Sequence, residues 1–124
     1  MKTCNVKIDG VTIRGNFVRM FFQGCDGFSY LKFNRTNAIG NKRIDALLNY
    51  AGVQKIGELD GKIIREATCD ENNLICGFGD PIHNKFMPLF GEHCHELDED
   101  QLQMLVVSSP QEVMRLHEDV YGDD

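Results

Sequence analysis

The sequence predicts one α+β domain: an antiparallel sheet of about five strands, one helix inserted between strands three and four, and a C-terminal helical pair. Three observations lead to this architecture. The 124 residues suffice for one domain with its own core and are too few for two. Short runs rich in Val, Ile and Phe alternate with Gly, Asn and Asp turn residues, as in hairpins. Three other stretches carry apolar residues at helical spacing.

The first three strands are expected in the N-terminal part of the chain. Residues 11–14 and 17–22 flank Gly15-Asn16, a pair that tolerates the positive φ angles of a tight hairpin turn. Residues 17–22 are mostly apolar on both faces, which predicts a central strand covered on both sides. Residues 28–33 then predict the third strand.

The clearest helix comes next. Its apolar residues fall at i, i+3, i+4 and i+7 and form one stripe: Ile44, Leu47, Leu48 and Ala51. We expect Asn41 to cap this helix and Gly52 to end it. Residues 62–67 and 74–78 predict a second hairpin, and residues 85–90 are compatible with a short final strand.

The last third of the chain predicts two capped helices. Asp98 and Gln101 have the spacing of a capping box, and Ser109 and Glu112 repeat it with Pro110 at the first helical position. Both helices carry apolar residues at helical spacing: Leu102, Leu105, Val106, Val113, Leu116 and Val120. We expect these side chains to dock on the body of the domain. The domain then divides into a sheet-plus-helix body, residues 1–90, and an acidic helical segment, residues 91–124.

Charge is distributed unevenly along the chain. The net charge is −6, yet residues 1–90 carry 12 basic and 9 acidic side chains, whereas residues 91–124 carry 10 acidic ones and a single base, Arg115. The simplest role for such a run is a solvated face. The alternative is an acidic arm that meets a basic surface on a partner protein. On that alternative, the partner-binding residues are Asp98, Glu99, Asp100, Glu112 and Glu118.

Two weaker possibilities concern metal and phosphate. The side chains His83, His93, Cys94 and His95 are zinc-ligand types within a short window, but no Cys-x2-Cys pair supports them. A polar loop with unrelated histidines is the simpler interpretation, and no cofactor is predicted. Basic side chains near the start of the first helix, together with one on the fourth strand, could hold a phosphate: Arg35, Lys42, Arg43 and Arg65.

A row of aromatic residues is interleaved with Arg19 and Lys32. Its members are Phe21, Phe22, Phe28, Tyr30 and Phe33. Such a sheet face could stack nucleic-acid bases. The overall acidity argues against direct nucleic-acid binding, and core packing is the expected role.

The compartment is predicted from cysteines and hydropathy. Five cysteines are an odd number without a repeated spacing, which does not resemble a disulfide framework. No apolar run approaches ~18 residues, and the N-terminus lacks the pattern of a signal peptide. We therefore expect reduced thiols and a cytoplasmic location in a host cell.

Short motifs in the middle of the chain carry a family resemblance. Residues 47–53 read LLNYAGV, residues 58–62 read ELDGK, and residues 77–82 read GFGDPI. This pattern resembles a widespread group of small phage and prophage proteins of uncharacterised function, over roughly residues 10–90. The sequence departs from them at Lys85-Phe86, where the tryptophan of their Lys-Trp-Phe ending is missing. The acidic last third of the chain matches no part of those phage and prophage proteins.

The resemblance implies a phage or mobile-element setting, in which small acidic accessory proteins act by binding host machinery, and it brings no catalytic residues. We therefore expect a non-enzymatic protein that binds and blocks a host factor, such as a defence system, in the manner of an anti-CRISPR inhibitor. Two alternatives remain open. One is a protein that sequesters a nucleotide signal, and the other is a zinc-stabilised structural or regulatory protein.

Overall fold

The computed structural model describes residues 1–24, 27–70 and 73–115. Six strands form one antiparallel sheet in the order β3-β2-β1-β4-β5-β6. The strands are β1 (Lys2–Arg14), β2 (Phe17–Gly24), β3 (Gly27–Asn34), β4 (Ile63–Thr68), β5 (Ile75–Gly79) and β6 (Phe86–Pro88). The helices are α1 (Ala38–Ala51), α2 (Glu99–Ser108) and α3 (Pro110–Met114), with a 3-10 turn at Ile56–Glu58. The α+β class is confirmed, and the sheet has six strands instead of about five.

The long strand β1 joins two halves of the sheet. Residues 2–7 pair with β4, whereas Ile8 and residues 11–14 pair with β2. The register shifts between Ile8 and Val11, where Gly10 adopts a φ of 126° that other residues rarely accept. The strand begins nine residues before the predicted start at Val11. The missed part has only two buried apolar side chains, Val6 and Ile8, between polar neighbours.

The core lies on the concave face of the curled sheet, under α1. The rings of Phe33 on β3 and Phe78 on β5 are 5.7 Å apart, although these strands stand four places apart in the sheet. Tyr50 of α1 packs edge-on against the same Phe78 ring at 5.9 Å. The sheet therefore curls around its own core, and α1 contributes Ile44 and Leu47 to it.

The ends of α1 explain where it begins and stops. The side chain of Asn37 accepts a hydrogen bond from the Gly40 N–H at 2.6 Å, so the helix starts about one turn before the predicted cap at Asn41. That earlier start is possible because residue 40 is a glycine: a Cβ there would lie 1.8 Å from the carbonyl oxygen of Asn34. Gly52 ends the helix in the left-handed conformation, as predicted.

Helix α2 docks on the opposite face of the sheet from α1. Leu102 is fully buried over Gly77 of β5, where a Cβ would come within 2.9 Å of the leucine. The capping box of Asp98 and Gln101 is confirmed, with bonds of 2.8 and 2.9 Å. The capping box predicted at Ser109 is wrong, because the Ser109 side chain makes no cap bond.

In α3, Val113 is buried against the body as expected. Leu116 and Val120, which were expected to dock with it, lie outside the described residues. The carboxylate of Glu112, the other member of the predicted Ser109 box, is instead bonded to His93. Within the part of the chain that the structure describes, no helix combines the length and apolarity needed to span a membrane.

The cysteines differ from one another. Cys69, Cys76 and Cys94 form no disulfide, whereas Cys4 on β1 is disulfide-bonded. The expectation of reduced thiols is therefore wrong at Cys4. Disulfide formation depends on how closely two Cα atoms approach in the fold, which sequence spacing does not reveal.

Candidate functional site

A groove runs between α2 and the segment that follows β6. One wall is a stripe of α2 at i, i+3, i+4 and i+7, formed by Gln101, Met104, Leu105 and Ser108. The other wall and the floor are formed by Pro88, His93, His95 and Leu97. The groove is mostly apolar and has a volume of about 410 Å³. This is within the range of pockets that bind other molecules.

The floor of the groove is tied to the rest of the fold. Leu97 exchanges two backbone hydrogen bonds with Phe86 of β6, at 2.7 and 2.8 Å. The Tyr50 hydroxyl of α1 donates to the Glu96 carboxylate at 2.8 Å. The Arg43 guanidinium, also from α1, donates to four carbonyl oxygens at 3.0 to 3.4 Å, those of Pro88, Phe90, Gly91 and His93. The segment therefore has a defined path despite its lack of regular structure.

The α2 wall is fixed at its N-terminal end and leaves apolar side chains at the rim. The Glu99 N–H donates to the Asn84 side chain at 2.7 Å, and Leu102 anchors the buried side. Met104 is 72% exposed and Val107 is 68% exposed. Met104 and Val107 are i, i+3 neighbours on α2, so they share one exposed side of the helix at the groove.

The groove lies in the most acidic described part of the chain. Residues 91–115 carry six acidic side chains and one basic one. Glu99 and Asp100 are exposed in the first turn of α2, where the helix dipole favours negative charge. The other predicted partner-binding acids are engaged or not described. Asp98 caps α2, Glu112 lies 2.7 Å from the His93 ring, and Glu118 is outside the described residues.

The four predicted phosphate-binding side chains have separate surroundings. Arg35 donates to the carbonyl of Gly15 in the β1–β2 turn at 3.1 Å. Arg65 donates to a side chain of β1 and to a loop carbonyl after β5. Arg43 holds the groove floor, and Lys42 beside it is exposed. The structure therefore gives Arg35, Arg43 and Arg65 different structural partners instead of one common site.

The predicted metal ligands are also dispersed. His83 lies in the loop after β5 and contacts Asp80 at 3.3 Å, whereas His93 and His95 line the groove. Cys94 between them is a half-buried free thiol. Among residues 1–24, 27–70 and 73–115, no three His, Cys, Asp or Glu side chains are grouped so as to hold a metal ion.

The surroundings of Tyr50, Cys76 and Asp80 shift the pKa values of these side chains. Burial and the hydrogen bond to Glu96 raise the pKa of Tyr50. The hydrogen bond with Cys69, together with burial, raises the pKa of the Cys76 thiol. Burial alone would raise the pKa of Asp80, but two backbone N–H groups of the following turn and the His83 ring together lower it. At neutral pH each group therefore stays in the protonation state that its hydrogen bonds require.

The aromatic row divides between the two faces of the sheet. Phe22 and Phe33 are buried in the core, as expected. Phe21 and Tyr30, which are paired in the β2–β3 register, lie on the opposite face, and Phe28 beside them is largely exposed. The expectation of core packing is therefore wrong for Phe21, Tyr30 and Phe28. Strict alternation along residues 28–33 would have separated the two sets.

Comparison of the chain with protein-family models, with curated proteins and with solved structures finds no match. The family resemblance in the sequence therefore stays an expectation.

Proposed function

We propose that this protein acts by binding and not by catalysis, and that the groove beside α2 takes a basic, amphipathic segment of a partner protein. In the phage or mobile-element setting that the sequence resemblance implies, the partner is a host factor, such as a component of a defence system, which the protein blocks. One observation carries the proposal: an apolar groove lies within a region that has six acidic side chains and one basic one.

The shape and charge of the groove favour this class of partner. The stripe of Met104 and Leu105 on α2 offers apolar contact along one side, as in grooves that accept the apolar face of a helix. Exposed carboxylates at Glu99, Asp100 and Glu96 stand near the same segments and would meet Lys and Arg side chains of the bound segment. Apolar contact would supply affinity, and the rim charges would speed encounter.

Nuclear magnetic resonance provides a direct test of the groove. The probe is a synthetic amphipathic helical peptide with Leu on one face and Lys on the other, and the control peptide has Glu in place of Lys. We expect amide shifts confined to α2 and residues 88–97, and only with the Lys peptide. Equal shifts with both peptides, or shifts elsewhere on the sheet, would contradict the proposal.

Two methionines provide a matched pair of variants. Met104 borders the groove and is 72% exposed, whereas Met114 on α3 is 76% exposed and does not line it. We expect Met104→Lys to weaken Lys-peptide binding at least tenfold and Met114→Lys to leave it unchanged, with similar melting temperatures. A host factor captured from lysate should be lost with Met104→Lys and kept with Met114→Lys. Retention by both variants would show that another surface binds it.

The rim charges are tested by Glu99→Gln combined with Asp100→Asn, which leaves the Asp98 cap intact. Because rim charges act mainly on encounter, association should slow more than thermal stability falls. The effect should shrink at physiological salt, where charges are screened over ~8–10 Å. Unchanged association kinetics at low salt would identify the acidic region as a solvated face only.

A further inference from the structure

A second surface lies on the convex face of strands β1 to β3. We call it the aromatic face and define it by Arg14, Phe17, Arg19, Phe21, Phe28 and Tyr30. The antiparallel register places these side chains on one side of the sheet, with Phe21 opposite Tyr30 and Arg14 opposite Phe17. A shallow depression of about 710 Å³ runs across the face.

The rings of this face are arranged in a row. The centroids of Phe21 and Phe28 are 6.2 Å apart with an interplanar angle of 21°, and Phe21 and Tyr30 are 5.8 Å apart at 37°. Phe28 is 67% exposed. Partly exposed aromatic rings on neighbouring strands offer π-faces on which unpaired bases stack.

The charge of the aromatic face is opposite to that of the groove. Residues 11–34 contain three basic side chains and one acidic one, a net charge of +2, whereas the remaining residues carry a net charge of −8. Lys32 on β3 places its ammonium 4.9 Å from the centre of the Phe17 ring. The overall acidity of the protein therefore does not describe this surface. Nucleic-acid binding was not expected because of the net charge of the whole chain alone.

We propose that the aromatic face binds single-stranded nucleic acid, with bases stacked on Phe21, Phe28 and Tyr30 and with phosphates near Arg14 and Arg19. The binding does not depend on the groove beside α2. A single strand fits better than a duplex, because rings that stand on a sheet reach only bases that are not already stacked in a helix. Nucleic acid also fits better than an acidic peptide, because carboxylates gain nothing specific from a row of stacked rings.

Fluorescence anisotropy with the full chain tests this surface. The probes are fluorescein-labelled oligo(dT) and oligo(rU) of about 12 nucleotides, a length within the site sizes of comparable binding surfaces. We expect Phe28→Ala to weaken binding about five- to hundredfold, the effect of losing one stacked base. The control is Ile82→Ala, since Ile82 is an exposed apolar residue in the loop after β5. Both residues are exposed, so both variants should keep the wild-type melting temperature.

Salt dependence gives a second readout. Each phosphate contact contributes about 0.7 to the slope of log affinity against log salt for a single strand. Arg14→Ala should reduce this slope by about that amount, and Lys42→Ala on α1 should leave it unchanged.

Four results would overturn the proposal. One is the absence of an anisotropy change at low salt up to the solubility limit of the protein. Another is equal affinity for a duplex of the same length. A third is Phe28-dependent binding of a labelled oligo-Glu peptide in place of the oligonucleotides, which would assign the face to an acidic protein. The last is Phe28-dependent self-association in sedimentation without oligonucleotide binding, which would assign it to a second copy of the chain.

Discussion

Replacement of Arg43 by Met tests whether this residue organises the groove. The Nε atom donates to the Pro88 carbonyl at 3.1 Å, and Nη2 lies within hydrogen-bond distance of the Phe90, Gly91 and His93 carbonyls. One nitrogen has two hydrogens, so about three of these bonds are effective at once. The Met variant leaves partly buried carbonyls without their charged donor.

The magnitude follows from these bonds. A hydrogen bond from a charged group contributes about 1.5–3 kcal/mol, and bonds made by one side chain are not additive. We expect Arg43→Met to lower the free energy of unfolding by about 3–5 kcal/mol. For a chain of 124 residues, 1 kcal/mol corresponds to about 4 °C, so the melting temperature should fall by about 12–20 °C. Arg43→Lys should retain less than half of the stability that Arg43→Met loses, because one ammonium group cannot reach both the Pro88 and the His93 carbonyls.

Thermal melting followed by circular dichroism measures the effect. Lys42→Met is the control, because Lys42 is the exposed neighbour of Arg43 on the same helix. If the melting temperature of Arg43→Met lies less than about 2 °C below that of Lys42→Met, the Arg43 side chain does not hold the segment after β6 in place. Stabilisation of the wild type by inorganic phosphate, absent in Arg43→Met, would instead support the phosphate alternative.

Three further predictions concern the fold. Gly40→Ala should lower the free energy of unfolding by about 3 kcal/mol or more in denaturant unfolding, because its Cβ would lie 1.8 Å from the Asn34 carbonyl oxygen. In an open helix the same replacement usually stabilises by about 1 kcal/mol. An unchanged denaturation midpoint would contradict the observed start of α1. Leu47→Ala should cost about 2–5 kcal/mol, and the half-buried Leu48→Ala clearly less, so equal losses would argue against the stripe as placed. The lowered pKa of Asp80 stabilises the fold above the ordinary value of 3.8, and this contribution is lost as the pH falls through the lower folded value. The melting temperature of Asp80→Asn should therefore fall less than that of the wild type when the pH is lowered from about 6 to about 2. Parallel curves of melting temperature against pH for the two proteins would contradict this role of Asp80.

Local patterns predicted those parts of the fold that depend on local interactions. The helical stripe around Leu47, the left-handed Gly52 and the Asp98 capping box each involve residues within a few positions of one another. The first half of β1 was missed because its partner β4 lies about 60 residues away, and only that pairing satisfies its backbone. The N-cap was predicted at Asn41 instead of Asn37. Asn37 can cap the helix only because Gly40 approaches Asn34 closely, and this contact is not visible in the local sequence pattern.

The candidate sites depended still more on long-range contacts. The groove is formed by α2 and the segment after β6, and its floor is held by Arg43, 45 to 50 residues earlier in the chain. Sequence spacing placed Arg43 beside Lys42 and Arg35 in a basic cluster, although it turns toward backbone carbonyls. The aromatic face was easier to predict from the sequence, because the alternation of side chains along β2 and β3 already separates Phe21 from Phe22. What the sequence lacked was the register that brings Tyr30 next to Phe21.

The double pairing of β1 has a consequence for the order in which the protein assembles during synthesis. Its second half and β2 are neighbours in the chain, so this hairpin can close on the ribosome soon after it is made. The first half waits for β4, which is translated about 60 residues later, and closing so long a loop costs entropy before any contact compensates for it. We therefore expect the nascent chain to carry an unpaired strand edge at residues 2–7 until then. That edge is open to other nascent chains and to chaperones.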